Sequence, residues 1–238
     1  GRQQLCQLGR VPVEAAGREG LETAHQDAPD LVVPLVHPDE RRLGIHSRGE
    51  HADVAASLNN LGNAIWYQGR LAEAETVIRE ALAMRKKLFG DQHPDVSASL
   101  GNLAGLLSFQ NKLPEAEAMQ REVLALDRRL LGNDHPDIAY SLNNLADILR
   151  TRGKLTEAES INREALALRR KLLGDEHADV AYSIFGLATT LAVEGKLAEA
   201  ETLHRDALAM RRKLLGDDHL EVAGSLNNLA SVLLQVQA

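Results

Sequence analysis

The sequence copies itself every 42 residues. His51, His93, His135, His177 and His219 stand at that interval. Each opens a unit that continues with Pro, Ala or Leu, then an acid, then Val or Ile. Four full units, 51–92, 93–134, 135–176 and 177–218, precede a half unit, 219–238. A period of this size means one supersecondary unit repeated along the chain. Such a unit cannot bury its apolar face alone, but stacked copies can.

Inside each unit the apolar spacing is helical. Leu58, Leu61 and Ile65 recur as Leu100, Leu103 and Leu107, as Leu142, Leu145 and Leu149, and as Ile184, Leu187 and Leu191. Intervals of three and four put them on one helical face. A break follows at Gly69, Asn111, Gly153 or Gly195, residues that take positive φ cheaply. The stretch from Leu71 to Phe89 and its copies then predict a second helix, closed by Gly90, Gly132, Gly174 or Gly216. Pro94 and Pro136 fall where a first helical turn begins. The unit therefore reads helix, turn, helix, loop, and the fold class as all-α.

Composition narrows the function. Aromatics are only 3% of the chain, and Ala and Leu dominate its apolar content, which suits helix packing. A net charge of −7 disfavours nucleic acid and anionic membrane as partners. The longest notable apolar run, at 31–36, is far too short for a membrane span. A single cysteine, Cys6, excludes an internal disulfide framework and fits a reducing, cytoplasmic setting. Residues 1–48 do not join the repeat and carry four of the seven prolines. They read as irregular and weakly ordered, or as sequence outside the genuine frame, ahead of a repeat domain over 49–238. The chain opens on Gly1 and its last unit stops halfway, which suggests a piece of a longer protein.

The skeleton Leu58, Asn60-Leu61-Gly62, Ile65, Gly69, Leu71, Ala74, Ile78, Ala81 and Leu82 resembles the tetratricopeptide repeat. The 42-residue period is similar to that of kinesin light chain-like members. One departure stands out: Lys86, Arg128, Arg170 and Arg212 occupy the place of the usual closing proline. The resemblance implies a right-handed α-solenoid whose first helices line a concave groove for extended or helical peptides. It also implies that the second Asn of each pair (Asn60, Asn102, Asn144 and Asn228) hydrogen-bonds a ligand main chain. An amide can meet both groups of a peptide unit, since it offers a donor and an acceptor.

The pairs sit in SLNNLG at 57–62 and in SLNNLA at 141–146 and 225–230. Asn is a poor helix former, so two in succession ask for a reason. With Leu58 at 0° on a helical wheel, Asn59 falls near 100° and Asn60 near 200°, away from the core. Six of the seven aromatics share that outward arc. The expected binding face therefore comprises Asn59, Asn60, Asn63, Trp66, Tyr67, Asn102, Phe109, Tyr140, Asn143, Asn144, Asp147, Arg150, Tyr182, Phe185, Asn227 and Asn228. The alternative for the aromatics is packing against the neighbouring unit; for the amides it is a solvated face or a bond to the next helix. In the fourth unit Phe185-Gly186 replaces the amide pair, which marks it as a candidate recognition point.

Other signals have plainer readings. Packed helices lie about 8–10 Å apart, so the repeating histidines cannot share one metal ion, and capping of a helix start accounts for them. The clusters at 85–87, 128–129, 169–171 and 211–213 suit the negative end of a helix dipole. No nucleophile–base pair, phosphate loop or carboxylate pair appears at a telling spacing. The expectation is a non-enzymatic module without metal or cofactor that binds a protein or peptide as an adaptor or sensing arm. The competing expectation is a structural scaffold that self-associates end to end.

Overall fold

The structure, a computed structural model, describes residues 48–237. The expectation for residues 1–48 therefore falls almost wholly outside the described residues. Among the described residues every regular element is a helix. In order these are α1 (Arg48–Tyr67), α2 (Leu71–Phe89), α3 (Pro94–Phe109), α4 (Leu113–Leu131), α5 (Pro136–Thr151), α6 (Leu155–Leu173), α7 (Ala178–Glu194), α8 (Leu197–Leu215) and α9 (Leu220–Val236). Odd-numbered helices are the first helices of the repeat, and even-numbered ones the second.

The turns work as the residue types require. Gly69, Gly153 and Gly195 take φ of 79°, 76° and 86°, and Asn111 takes 62° in the equivalent place. Each second helix runs through its basic residues to a glycine; Gly90 donates to the Lys86 carbonyl, and Gly132, Gly174 and Gly216 repeat the bond. The repeating histidines are N-caps at four of the five positions. Nδ1 of His93, His135, His177 and His219 accepts from the backbone N–H two residues on, at 3.1–3.2 Å. His51 differs, because α1 already starts at Arg48.

The described residues divide into two compact units that meet at Leu106 and Leu107 in the sequence. In the first, α1 and α2 form a hairpin, and α3, whose Val96, Leu100, Leu103 and Leu106 are buried, is bonded to both through Ser99. Small residues set the closeness of that hairpin. A Cβ on Gly62 would come within 2.5 Å of Ile78 Cγ1, so glycine is needed there. At the repeat position of Gly62 the later copies carry Ala104, Ala146 and Ala188, and at that of Ile78 they carry Gln120, Asn162 and His204. In the second unit α4 to α9 each pack on the next helix, and α7 also touches α5 and α9. Its core joins Leu142, Leu145 and Leu149 to Ala158 and Ala165, and Ile184, Leu187 and Leu191 to Ala200, Ala207 and Val232.

Candidate functional site

A polar relay recurs where one repeat meets the next. In α2 the buried Arg85 donates from Nη1 to Ser99 Oγ (2.7 Å) and to the Asp95 carbonyl (2.9 Å). Ser99 Oγ donates in turn to Asn59 Oδ1 at 3.1 Å, which also accepts from Asn102 Nδ2 at 3.3 Å. The third repeat reproduces this. Arg169 Nη1 donates to Ser183 Oγ (2.8 Å), and Ser183 Oγ to Asn143 Oδ1 (3.0 Å). The Asn143 amide then donates to Asn162 Oδ1 at 3.0 Å, and Asn162 to Thr190 Oγ1 at 2.9 Å.

The two repeats that lack this amide change chemistry to match. Gly101 stands at the position of Asn59, and the second-helix arginine of that repeat is Asp127. Ser141 Oγ now donates to Asp127 Oδ2 at 2.7 Å. In the fourth repeat Phe185 holds the position. Arg211 still donates to Ser225 Oγ (2.7 Å), and its guanidinium lies 4.4 Å from the Phe185 ring centroid. Ser225 sends its own proton to the Glu221 carbonyl at 2.9 Å. The serine proton keeps an acceptor in each case, which matters because a buried donor left unpaired costs about 1–3 kcal/mol.

These contacts hold three residues of the expected binding face in the interior. Asn59, Asn143 and Phe185 do not look out into a groove; they are 4%, 2% and 5% exposed and are committed to contacts between or within repeats. The helical wheel sent Asn59 away from its own hairpin and toward α3, but Asn143 also bonds Asn162, and Phe185 meets His204 and Arg211, within their own hairpins. It could not show that the arc near 100° meets the next repeat. Asn102 is buried too and engages Asn59. Trp66 packs on the following first helix, its Cη2 3.1 Å from where a Cβ on Gly105 would stand.

Asn63 and Asp147 are buried as well, and the others are more open. Asn60, Tyr67 and Asn227 are exposed, and Phe109, Tyr140, Asn144, Arg150, Tyr182 and Asn228 are half-buried. Tyr67 stacks beside Trp66 with ring centroids 6.3 Å apart, and the Arg169 guanidinium lies 5.2 Å from the Tyr182 ring. On α5 three polar residues follow one ridge. Asp147 is buried, accepts from Arg150 Nη2 at 3.3 Å, and has its carboxyl pushed up by burial against the opposing pull of Arg150. Asn144 Oδ1 and Arg150 Nε are buried atoms with no hydrogen-bond partner in the protein, as is Asn63 Oδ1 in the first unit.

Sequence reasoning passed over the relay serines and arginines. The signal was present: a helix-interior Ser at 57, 99, 141, 183 and 225, and the paired change to Gly101 and Asp127.

Ion pairs form a second set of links. Glu117 accepts from Arg121 in its own helix and from Arg152 and Lys154 of the next repeat. Burial opposes ionisation of Glu117, yet these three cations together hold its pKa near 2. Glu159 is held near 2 chiefly by Lys196, against burial and with help from Arg163. Lys171–Asp134 (2.7 Å) and Lys213–Glu176 (2.6 Å) tie the end of a second helix to the loop one repeat earlier. The basic clusters thus have acidic partners within the repeat array. Among the described residues no helix is long and apolar enough to cross a membrane, and no group of three His, Cys, Asp or Glu could hold a metal ion.

The tetratricopeptide repeat profile matches residues 53–129, 113–171, 137–213 and 179–237. The chain belongs to the tetratricopeptide repeat family. Its fold is accordingly that family's α-solenoid, built from helical hairpins. Among solved structures it is similar to a kinesin light chain candidate from Podosopora anserina with nearly identical TPR-like repeats. Identity there is 26% and the TM-score 0.66, over 77% of this chain and 87% of that one. A form of the same protein with a single glutamine replaced by methionine gives 26% and 0.67, over 79% and 87%. BtubC (BKLC) from P. vanneervenii gives 25% and 0.68, over 81% and 76%. Among curated proteins, none matches the sequence. Tetratricopeptide repeat proteins generally mediate protein–protein contacts or scaffolding, and are generally not enzymes.

Proposed function

We propose that the exposed arc of the first helices binds an extended peptide or protein segment, so that the module acts as an adaptor or sensing arm of a larger cytoplasmic protein. The supporting observation is a contrast within SLNNLA. Asn143 spends both ends of its amide inside the protein, whereas its neighbour Asn144 leaves a buried Oδ1 unpaired. Arg150 Nε is a buried donor in the same condition. Buried polar atoms of native proteins are nearly all paired, and neither of these is held by a hydrogen bond of the protein, so a rotation of the two half-buried side chains offers them to a partner. A peptide main chain supplies both an N–H and a C=O. Asn144 and Arg150 are separated by about 9 Å of helix rise, roughly three residues of extended chain. The family's fold and its general role agree with this reading. Asn60 and Asn228 occupy the same repeat position as Asn144.

The test begins with a random 12-residue peptide library displayed on phage and selected on the whole chain. Binding of the selected peptides is then measured by fluorescence anisotropy. The variant Asn60→Ala/Asn144→Ala/Asn228→Ala should bind at least tenfold more weakly, at about 1 kcal/mol per lost hydrogen bond. Equal binding by this variant removes the amide ladder.

A second reading, end-to-end self-association, has its own observation. Val54 and Leu61 on α1, and Leu220, Leu226 and Leu234 on α9, are exposed apolar residues. Light scattering that stays monomeric across a hundredfold concentration range excludes it.

A further inference from the structure

At the junction of α7, α8 and α9 one buried group breaks the pattern of its copies. The second-helix position that holds Gln120 and Asn162 holds His204. Gln120 donates to the Ser141 carbonyl at 3.0 Å, and Asn162 to the Thr190 hydroxyl, so each fastens its helix to the following first helix. His204 is 1% exposed, and its Nδ1 has no partner in the protein. Its ring meets the Phe185 ring edge-on at 5.3 Å. The other side of the cluster is Arg211, whose guanidinium lies over the same phenylalanine. Arg211 is also the tether of α9: it donates to Ser225 Oγ and the Glu221 carbonyl and pairs through Nε with the Glu221 carboxylate at 3.2 Å.

We propose that His204 makes this junction an acid-sensitive latch, in which uptake of a proton by the imidazole repels Arg211 and frees α9 from α8. The charged group that acts on His204 is Arg211 on α8, itself paired with Glu221 on α9, while α7 contributes the uncharged Phe185. Glu221 is already engaged by Arg211, so an imidazolium would sit in apolar surroundings beside a fixed cation. Burial first, and Arg211 second, push the imidazole down to about 4.

A histidine whose folded pKa lies below its ordinary 6.5 binds a proton less readily when the junction is closed than when it is open. The latch is therefore fully closed above about pH 6.5 and loosens as pH falls toward 4. His204 and its contacts lie in a junction between repeats, so the latch holds whether or not the exposed arc binds a peptide.

Hydrogen exchange of the whole chain, followed by mass spectrometry at pH 7.5, 6 and 4.5 and corrected for intrinsic rates, tests the latch. The opening constant of 220–236 should rise roughly ten- to hundredfold across that range. His204→Gln should abolish most of that rise, since glutamine at this position can make the carbonyl bond of Gln120. Retention of the full rise by His204→Gln overturns the proposal. A second reading needs no variant to fold well. The imidazole of His204, followed by NMR in the wild type, should titrate well below 6, and a midpoint near 6.5 overturns the proposal as well.

Discussion

Replacing Asn143 or Asn144 by alanine should have opposite effects on stability, although the two residues are adjacent in one helix. Asn143→Ala removes a hydrogen bond accepted from Ser183 Oγ and one donated to Asn162 Oδ1, each 3.0 Å long, at a site 2% exposed. Two such bonds are worth about 1 kcal/mol each. The Ser183 proton and Asn162 Oδ1 are then orphaned in the interior, which adds about 1 kcal/mol or more. Alanine returns roughly 0.5 kcal/mol of helix propensity. The net expectation is a loss of about 2–3 kcal/mol. Asn144→Ala gives the same propensity gain and deletes an acceptor that had no partner, so it should stabilise by roughly 0.5–1 kcal/mol. Urea unfolding followed by circular dichroism at 222 nm reads both, with the slope checked for constancy. The reasoning fails if Asn143→Ala lies within 0.5 kcal/mol of the wild type, or if Asn144→Ala costs as much as Asn143→Ala.

Gly62→Ala should cost about 1–3 kcal/mol through overpacking on Ile78, and adding Ile78→Gln should recover most of it, because the next repeat carries Ala104 and Gln120 at these two positions; a double-mutant cycle in urea measures the coupling. Glu117→Gln should destabilise by about 1–2 kcal/mol at pH 7, a figure reduced for the solvent-exposed partners Arg121 and Lys154. A carboxylate held near 2 lends its stability above about pH 4.5 and loses it as pH falls through 2, so the variant and the wild type should converge in acid. His135→Ala should cost about 1 kcal/mol by stripping the N-cap of α5, measurable as a lowered thermal midpoint.

The fold was legible because its signals are local and repeated. The interval from Leu58 to Leu61 to Ile65 defines a face, Gly69 and Gly90 define ends, and the period says that the hairpins stack. The binding face was only partly legible. A helical wheel separates a residue's own hairpin from everything else, but the far arc of a first helix has two neighbours, solvent and the next repeat. Asn59 and Asn60 lie about 100° apart on that arc, and only the packing of α3 decides that one is buried and the other exposed. Phe185 was read on the outward arc, whereas its ring is received by Arg211 and His204 of α8, the second helix of its own hairpin. The relay itself was written in the paired change of Asn59 and Arg85 to Gly101 and Asp127, which becomes interpretable once Ser99 and Ser141 are seen between them.

The central claim is that in the pairs Asn59–Asn60 and Asn143–Asn144 the first amide binds the protein and the second is left for a ligand. Side-chain amide signals of the chain, assigned by single Asn→Asp variants and followed by NMR while a library-selected peptide is added, test it most directly. The Asn60 and Asn144 signals should shift on saturation, and those of Asn59 and Asn143 should stay in place. Shifts confined to Asn59 and Asn143, or to residues of the second helices alone, would contradict it.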